Sequence, residues 1–329
     1  MGRSGHLRTL FILGEHNEVV GTLTDGDIRR AFLKGVQLNQ ECGECAFRSF
    51  RYVAEGGPDS NEIAEWKKLG INVVPVLDKQ KRLVRILNIA KLQGFLPVSA
   101  VIMAGGVGSR LRPLTIDKPK PMLPVNGIPI LEINIRRLIS FGVDEIFISV
   151  NYLKEQIMAH FGDGSSLGCH IHYLTENEPR GTIGALSGLK GKISHNDILL
   201  FNADLLSNIQ LDEMFNAYHQ VDADMCMASI PYKVKVPFAV LELNDHQISG
   251  ISEKPTYTYY SNAGFYMFKS AHLNRIPDLG FYNATDFTDS LIHDKKKVIQ
   301  FPILGYWSDI GSIEEYQKAQ DDIQYLDLY

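Results

Sequence analysis

The feature that most limits the fold is the join between Ser99-Ala100-Val101-Ile102-Met103 and Ala104-Gly105-Gly106-Val107-Gly108-Ser109-Arg110-Leu111. A short, unbroken apolar run predicts a strand buried on both faces, as in the parallel sheet of an α/β protein. The glycines that follow let several backbone N–H groups converge on an anion without a Cβ in the way. The loop is not G-x-x-x-x-G-K-[ST], and Leu111 takes the place where a dinucleotide fingerprint needs its third glycine. A dinucleotide-dependent oxidoreductase is therefore excluded.

Basic residues follow at fixed spacing in Arg110-Leu111-Arg112-Pro113-Leu114-Thr115 and Lys118-Pro119-Lys120-Pro121. Proline fixes its own φ and restricts its predecessor, so Lys120 is expected on a stiff extended segment, preorganised for a phosphate. Further on, Asp197-Ile198-Leu199-Leu200-Phe201-Asn202-Ala203-Asp204 reads as a buried strand ending in a carboxylate. Ligands of open α/β sheets sit beyond the carboxyl ends of strands, so Asp204 is placed to hold a metal.

The stretch from Val98 to about Gln320 resembles the sugar-1-phosphate nucleotidyltransferases, whose signature is A-G-G-x-G-[ST]-R-L-x-P-L-T followed by P-K-P. The resemblance implies a mostly parallel, Rossmann-like α/β sheet flanked by helices. It assigns catalysis to Arg110 and Lys120, and NTP binding to Ala104, Gly105, Gly106, Gly108, Ser109, Gly181 and Thr182. Glu176 aligns where pyrimidine-using relatives carry Gln. One carboxylate can accept together the adjacent N1–H and N2–H₂ of guanine, so GTP is favoured, with Glu176 facing solvent or capping a helix as the alternative. Ser252-Glu253-Lys254-Pro255 and Ser261-Asn262-Ala263-Gly264 resemble the segments that hold the sugar phosphate, implying Glu253, Lys254, Asn262 and Gly264. Trp307-Ser308-Asp309-Ile310-Gly311-Ser312 resembles the block whose Asp is a second Mg²⁺ ligand, beside Asp204. Ser312 and Glu315 also read as a capping box. Ala203 stands where the family usually has Gly.

The implied reaction is in-line attack of a sugar-1-phosphate oxygen on the α-phosphorus of an NTP, giving NDP-sugar and pyrophosphate. A non-catalytic nucleotide-binding regulator is the reading from another class.

The 329 residues suit about two domains, and the breakers in Gly94-Phe95-Leu96-Pro97 put the boundary there, giving 1–96 and 97–329. The first part repeats itself. Thr9–Leu13 and Val19–Thr24 flank a polar turn and precede a helix from about Asp25. Val73–Leu77 and Leu83–Leu87 flank a charged turn and precede a second possible helix. Gly21-Thr22-Leu23-Thr24-Asp25-Gly26-Asp27 resembles the ribose- and phosphate-contacting edge of a cystathionine-β-synthase (CBS) domain. The resemblance implies a CBS pair, with its first repeat truncated and Thr24 and Asp27 as its nucleotide contacts. The second repeat has Arg85 for Gly, Asn88 for Thr and Lys91 for Asp, which favours a structural role over a nucleotide sensor. Such fused chains resemble guanylyltransferases of bacterial nonulosonic-acid pathways, implying glucosamine-1-phosphate, with mannose-1-phosphate as runner-up.

With 33 Lys+Arg against 38 Asp+Glu, a net charge of -5 gives no reason to expect nucleic acid as a partner. No apolar run approaches the ~20 residues of a membrane span, the start lacks an apolar signal core, and four cysteines make no disulfide framework. A cytoplasmic protein is expected, and CBS modules imply a homo-oligomer, such as a dimer through that module. Cys42-x-x-Cys45 is a zinc or redox half-motif without an evident second half.

Overall fold

A computed structural model of the chain describes residues 9–54, 60–176, 178–326 and 328; the start from which the missing signal core was read lies outside them. Two compact units divide the chain: Met1–Pro97 with Ser140–Gly142, and Val98–Ile139 with Val143–Tyr329.

The first unit contains β1 (Thr9–Leu13), β2 (Val19–Thr24), α1 (Asp25–Leu33), α2 (Ser60–Lys68), β3 (Val73–Leu77) and β4 (Leu83–Asn88). Its two hairpins repeat each other closely. Leu13 pairs with Val19 after a register shift, and Leu77 pairs with Leu83 after the same shift. Each turn is closed by the same two backbone bonds: Gly14 N–H to the Glu18 carbonyl at 2.8 Å with Asn17 N–H to that of Gly14 at 3.1 Å, and Asp78 N–H to that of Arg82 at 3.0 Å with Lys81 N–H to that of Asp78 at 2.9 Å. Asn17 (φ 63) and Lys81 (φ 59) take the left-handed conformation at equivalent places.

The repeats diverge after the hairpins. Thr24 caps α1: its hydroxyl accepts from Asp27 N–H, and the Asp27 carboxylate accepts from Thr24 N–H at 2.9 Å. No second helix forms after β4, contrary to expectation. Asn88 makes no capping bond, Lys91 stands where α1 has its capping carboxylate, and a single 3₁₀ turn, Ile89–Lys91, results. Trp66, Val74, Ile89 and Leu92 form the core of this unit.

The second unit runs through β5 (Val98–Met103), β6 (Pro124–Val125), β7 (Ile128–Pro129), α3 (Ile130–Ser140), β8 (Glu145–Val150), α4 (Lys154–Phe161) and β9 (His170–Thr175). It continues with β10 (Asp197–Asn202), β11 (Leu205–Ser207), α5 (Leu211–Gln220), β12 (Met225–Lys235), β13 (Val240–Asn244), β14 (Gln247–Ser252) and β15 (Thr256–Lys269). The last elements are α6 (Ala284–His293), β16 (Val298–Pro302), β17 (Trp307–Asp309) and α7 (Ile313–Asp322).

Seven strands make one sheet in the order β16-β12-β15-β10-β5-β8-β9. β9, β8, β5 and β10 are parallel neighbours, β15 runs against β10 and β12, and β12 is parallel to β16. The mainly parallel sheet expected from the sequence is present. Val98 to Ile102 are buried, as a central strand covered on both faces requires. Val101, Leu200, Phe268 and Phe287 lie in one core cluster; Leu111, Ile130, Leu206 and Ile310 lie in another. The chain leaves β5 toward β8 and β9, then returns to add β10 on the other side. The β5/β10 boundary is thus the topological switch point, where an open α/β sheet leaves a crevice. Among the described residues, no helix is long and apolar enough to cross a membrane.

At the opposite end, Glu145 ties β8 to its neighbours, accepting from the Ser99 hydroxyl and from the Ser194 hydroxyl at 2.7 Å. Burial pushes its carboxyl upward, but hydrogen bonds from His195, Ser99 and Ser194 prevail and hold it at about 2. A carboxyl depressed in the folded state stabilises above its unfolded value of 4.5, and that contribution fades as pH falls toward 2. Glu145→Gln is therefore expected to lower stability by about 1–3 kcal/mol at neutral pH. In urea denaturation the gap to the parent chain should shrink by more than half near pH ~3; an equal gap at both pH values would contradict the role.

Candidate active site

The carboxyl ends of four adjacent parallel strands build the site. Main-chain bonds extend the ladder beyond the strands: Ala104 N–H donates to the Ser149 carbonyl at 2.9 Å, Ala203 N–H to that of Met103 at 3.0 Å, and Glu176 N–H to that of Val150 at 3.1 Å. The segments after β5, β8, β9 and β10 consequently meet around a cavity of about 340 Å³. Of the residues assigned from sequence, Ala104, Gly105, Gly106 and Lys120 line it on one side. Glu176, Gly181, Thr182 and Asp204 line it as well.

Gly108 shapes the loop rather than the cavity wall. Its φ is +64°, and a Cβ there would lie 2.9 Å from the Lys120 Cβ. The Thr115 hydroxyl donates to its carbonyl at 2.8 Å. Lys120 differs from the sequence expectation: Pro119 is extended, but Lys120–Met122 forms a 3₁₀ turn. Pro121, with its fixed φ and no N–H to lose, starts that turn readily. The turn buries the Lys120 side chain, and its ammonium meets the Asp204 carboxylate and lies 3.9 Å from Asp309.

Asp309 arrives from a distant part of the sequence. β17 pairs antiparallel with β11, setting Asp309 opposite Leu205, and Ile310 N–H donates to the Asp204 carbonyl at 3.1 Å. Burial, then the neighbouring Asp204 charge, pushes the Asp309 carboxyl above its ordinary range. Arg110 and Ser109 are exposed on the 3₁₀ turn Ser109–Leu111; the Arg110 charge acts on Asp309, yet neither residue lines the cavity.

One oxygen of each carboxylate, Oδ1 of Asp204 and of Asp309, is buried without a hydrogen-bond partner. Buried polar atoms are normally satisfied, so an orphaned oxygen on each of two interacting carboxylates fits a cation. Hard oxygen donors suit Mg²⁺. Among the described residues no cluster of three or more His, Cys, Asp or Glu side chains assembles, so two protein ligands are what this site offers. Cys42 and Cys45, free thiols at the ends of a 3₁₀ turn, find no further ligand within that set either.

Glu176 is buried and held. Its Oε1 accepts from the Ser149 hydroxyl, and its Oε2 from Arg180 N–H at 3.0 Å. A carboxylate has about four acceptor sites, so capacity remains for a ligand. Gly181 (φ +78°) passes so close to the Tyr282 carbonyl that a Cβ would lie 2.5 Å from its oxygen.

The assigned sugar-phosphate residues lie apart from the cavity lining. Glu253 and Lys254 are exposed between β14 and β15. The Asn262 amide oxygen accepts from Gly264 N–H at 2.9 Å, and its nitrogen donates to the Tyr266 hydroxyl at 2.6 Å. Gly264, at φ +77°, lies close against Asn202 and Leu205, so its glycine serves the packing under the site. At α7 the Ser312 hydroxyl accepts from Glu315 N–H as expected, but the Glu315 carboxylate accepts from Gly311 N–H at 2.9 Å, so the expected box is shifted by one residue. In the first unit, Thr24 and Asp27 bond each other at 2.6 Å; Thr24 borders a cavity of about 790 Å³ whose lining does not include Asp27.

Asn151, Asn202 and Phe281 are among the lining residues to which the sequence assigned no role. Asn151 and Asn202 sit at the ends of β8 and β10, and Asn151 also donates to the Glu176 carbonyl at 3.2 Å. The strand-end rule that singled out Asp204 marks both. Phe281 comes from the loop before α6 and carries no comparable sequence signal.

The family model for nucleotidyl transferases matches residues 99–325. The chain belongs to the nucleotidyl transferase family. Mannose-1-phosphate guanylyltransferase of Mycobacterium tuberculosis is 31% identical over 231 residues, covering 69% of this chain and 64% of that protein, so the chain spans somewhat less than two thirds of this relative. D-glycero-alpha-D-manno-heptose 1-phosphate guanylyltransferase of Aneurinibacillus thermoaerophilus is 30% identical, covering 69% of this chain and 99% of that protein. A crystal structure of a putative glucose-1-phosphate thymidylyltransferase from Bacillus anthracis superposes with a TM-score of 0.57 at 20% identity, covering 70% of this chain and 96% of the other, a likeness of fold. The nucleotidyl transferase match spans β5 to the 3₁₀ turn Ile323–Tyr325, and so takes in every segment that lines the cavity.

The two loop glycines make a direct comparison. Gly106→Ala enters open space and should change stability by less than about 0.5 kcal/mol. Gly108→Ala should cost about 1–3 kcal/mol in urea denaturation, because Cβ and Lys120 cannot share the same volume. Equal stability of the two variants would contradict the account of the loop.

Proposed function

We propose that this chain transfers a nucleotidyl group from an NTP to a sugar-1-phosphate, releasing pyrophosphate. The observation that supports this most is the convergence of a glycine-rich loop, a buried lysine and two carboxylates from distant segments at the switch point of a parallel sheet.

The chemistry asks little of covalent catalysis. The nucleophile is a phosphate oxygen, already an anion, so neither a general base nor a covalent enzyme intermediate is required. The obstacle is to bring two polyanions together and stabilise charge on the α-phosphoryl oxygens and the departing pyrophosphate. Loop amides of Ala104 to Ser109 hold the triphosphate, while Lys120 and Arg110 supply positive charge. Asp204 and Asp309 would hold Mg²⁺, which when bound supplies charge neutralisation along the triphosphate. Once substrate phosphates enter, Lys120 has acceptors competing with Asp204. Glu253, Lys254, Asn262 and Gly264 are assigned to the sugar phosphate in this reading.

GTP is the favoured nucleotide, because Glu176 borders the cavity with acceptor capacity for the two adjacent donors of guanine. Glucosamine-1-phosphate is the first sugar phosphate to test and mannose-1-phosphate the second. The first unit is read as a CBS-type module in a structural role, within a homo-oligomeric enzyme.

Pyrophosphate release measured with each NTP against both sugar phosphates tests the whole reading; binding of GTP without turnover on any acceptor would favour the non-catalytic regulator. Lys120→Ala and Asp204→Asn should each lose about 10²–10³ in rate with the fold intact, and near-normal release would refute the assignment. Glu176→Gln should lower kcat/KM for GTP about 10-fold or more while sparing or raising that for UTP. No change in base preference would remove Glu176 from nucleotide recognition.

A further inference from the structure

The loop between the 3₁₀ turn Ser270–Arg275 and α6 carries Phe281, whose ring lines the cavity and is nevertheless 66% exposed. The backbone on either side of it is fastened. Before it, the Arg180 guanidinium donates to the Pro277 carbonyl at 3.2 Å and to that of Asp278 at 2.8 Å. The Lys190 ammonium donates to the Ile276 carbonyl at 2.8 Å and to the Asp278 carboxylate at 2.6 Å. After it, Tyr282 N–H donates to the Arg180 carbonyl at 3.0 Å, and Ile183 N–H to that of Tyr282 at 3.2 Å. Ala284 N–H reaches the Thr182 hydroxyl at 2.8 Å, and Asn283 N–H the Asp286 carboxylate in the first turn of α6 at 2.9 Å.

These bonds join the Phe281 loop to Arg180–Ile183, whose first N–H in turn holds the Glu176 carboxylate. Phe281 therefore stands beside the part of the wall that carries Glu176. A large apolar ring is thus kept at a cavity mouth by a loop tied down at both ends, while the packing of the fold leaves most of that ring in water. Ligand sites combine such aromatic walls with a few placed polar groups that fix orientation.

We propose that Phe281 is a binding residue for the nucleobase, stacking on the face of the base whose edge is offered to Glu176. The inference rests on the reading of this cavity as an NTP site and assigns it a second recognition element. The two contacts discriminate differently. A carboxylate reads hydrogen-bond donors in the plane of the base and so distinguishes one base from another. Every base has a π-face, so stacking on an aromatic ring strengthens binding of nucleotides in general. Phe281 separates nucleotides from base-free polyphosphates, and Glu176 chooses among the nucleotides.

The test is calorimetric titration of the full chain, in the presence of Mg²⁺, with GTP, UTP and inorganic tripolyphosphate. Parent, Phe281→Ala and Phe281→Trp are compared, with circular dichroism as the control for folding. Phe281→Ala should weaken GTP and UTP about 10-fold each and leave tripolyphosphate unchanged. Phe281→Trp should bind both nucleotides at least as tightly as the parent. Unchanged nucleotide affinity in Phe281→Ala, an equal loss for tripolyphosphate, a loss confined to one nucleotide, or an equal loss in Phe281→Trp would each overturn the inference and leave the NTP reading standing. A parent chain that binds neither nucleotide more tightly than tripolyphosphate would overturn both.

Discussion

The structure of the site depends on one compensated cluster of charges: the Lys120 ammonium against the carboxylates of Asp204 and Asp309. Burying any one of these alone would be costly, and together they are tolerable only in close geometry. That geometry draws on three separate stretches of chain. The proline-bordered turn sinks Lys120, the end of β10 carries Asp204, and the β11–β17 ladder brings Asp309 across from a distant segment. The same cluster explains why Gly108 must be glycine, since the loop passes within contact distance of the Lys120 stem.

The cluster also poises the site. Asp204 and Asp309 each retain a buried oxygen with no hydrogen-bond partner, so the protein by itself leaves negative charge incompletely satisfied. A site in that condition favours a cation and, with it, a polyphosphate. In the proposed reading, specific recognition falls to Glu176 on the cavity wall and to Glu253 and Lys254, which are exposed between β14 and β15.

What could be read from sequence was whatever local chemistry dictates. The β5 strand and its glycine loop are contiguous and patterned, and the sheet's strand ends locate Asp204 by a general rule of α/β proteins. The hairpin repeat in the first unit was visible because strands and turns recur at matching intervals; the left-handed Asn17 and Lys81 at equivalent places came only with the structure. Two things were hidden. Pairing of Lys120 with Asp204 depends on tertiary placement of groups far apart in sequence. The missing helix after β4 turns on a capping bond that Asn88 fails to make, a detail weaker than the hydrophobic pattern around it.

The proposed chemistry requires Asp204 and Asp309 to share one divalent ion beside the nucleotide. Electron paramagnetic resonance of Mn²⁺ titrated into the enzyme with a non-hydrolysable GTP analogue tests it most directly. The account predicts one protein-dependent bound ion in the parent chain and its loss in both Asp204→Asn and Asp309→Asn. Unchanged Mn²⁺ binding in either variant would contradict a shared site.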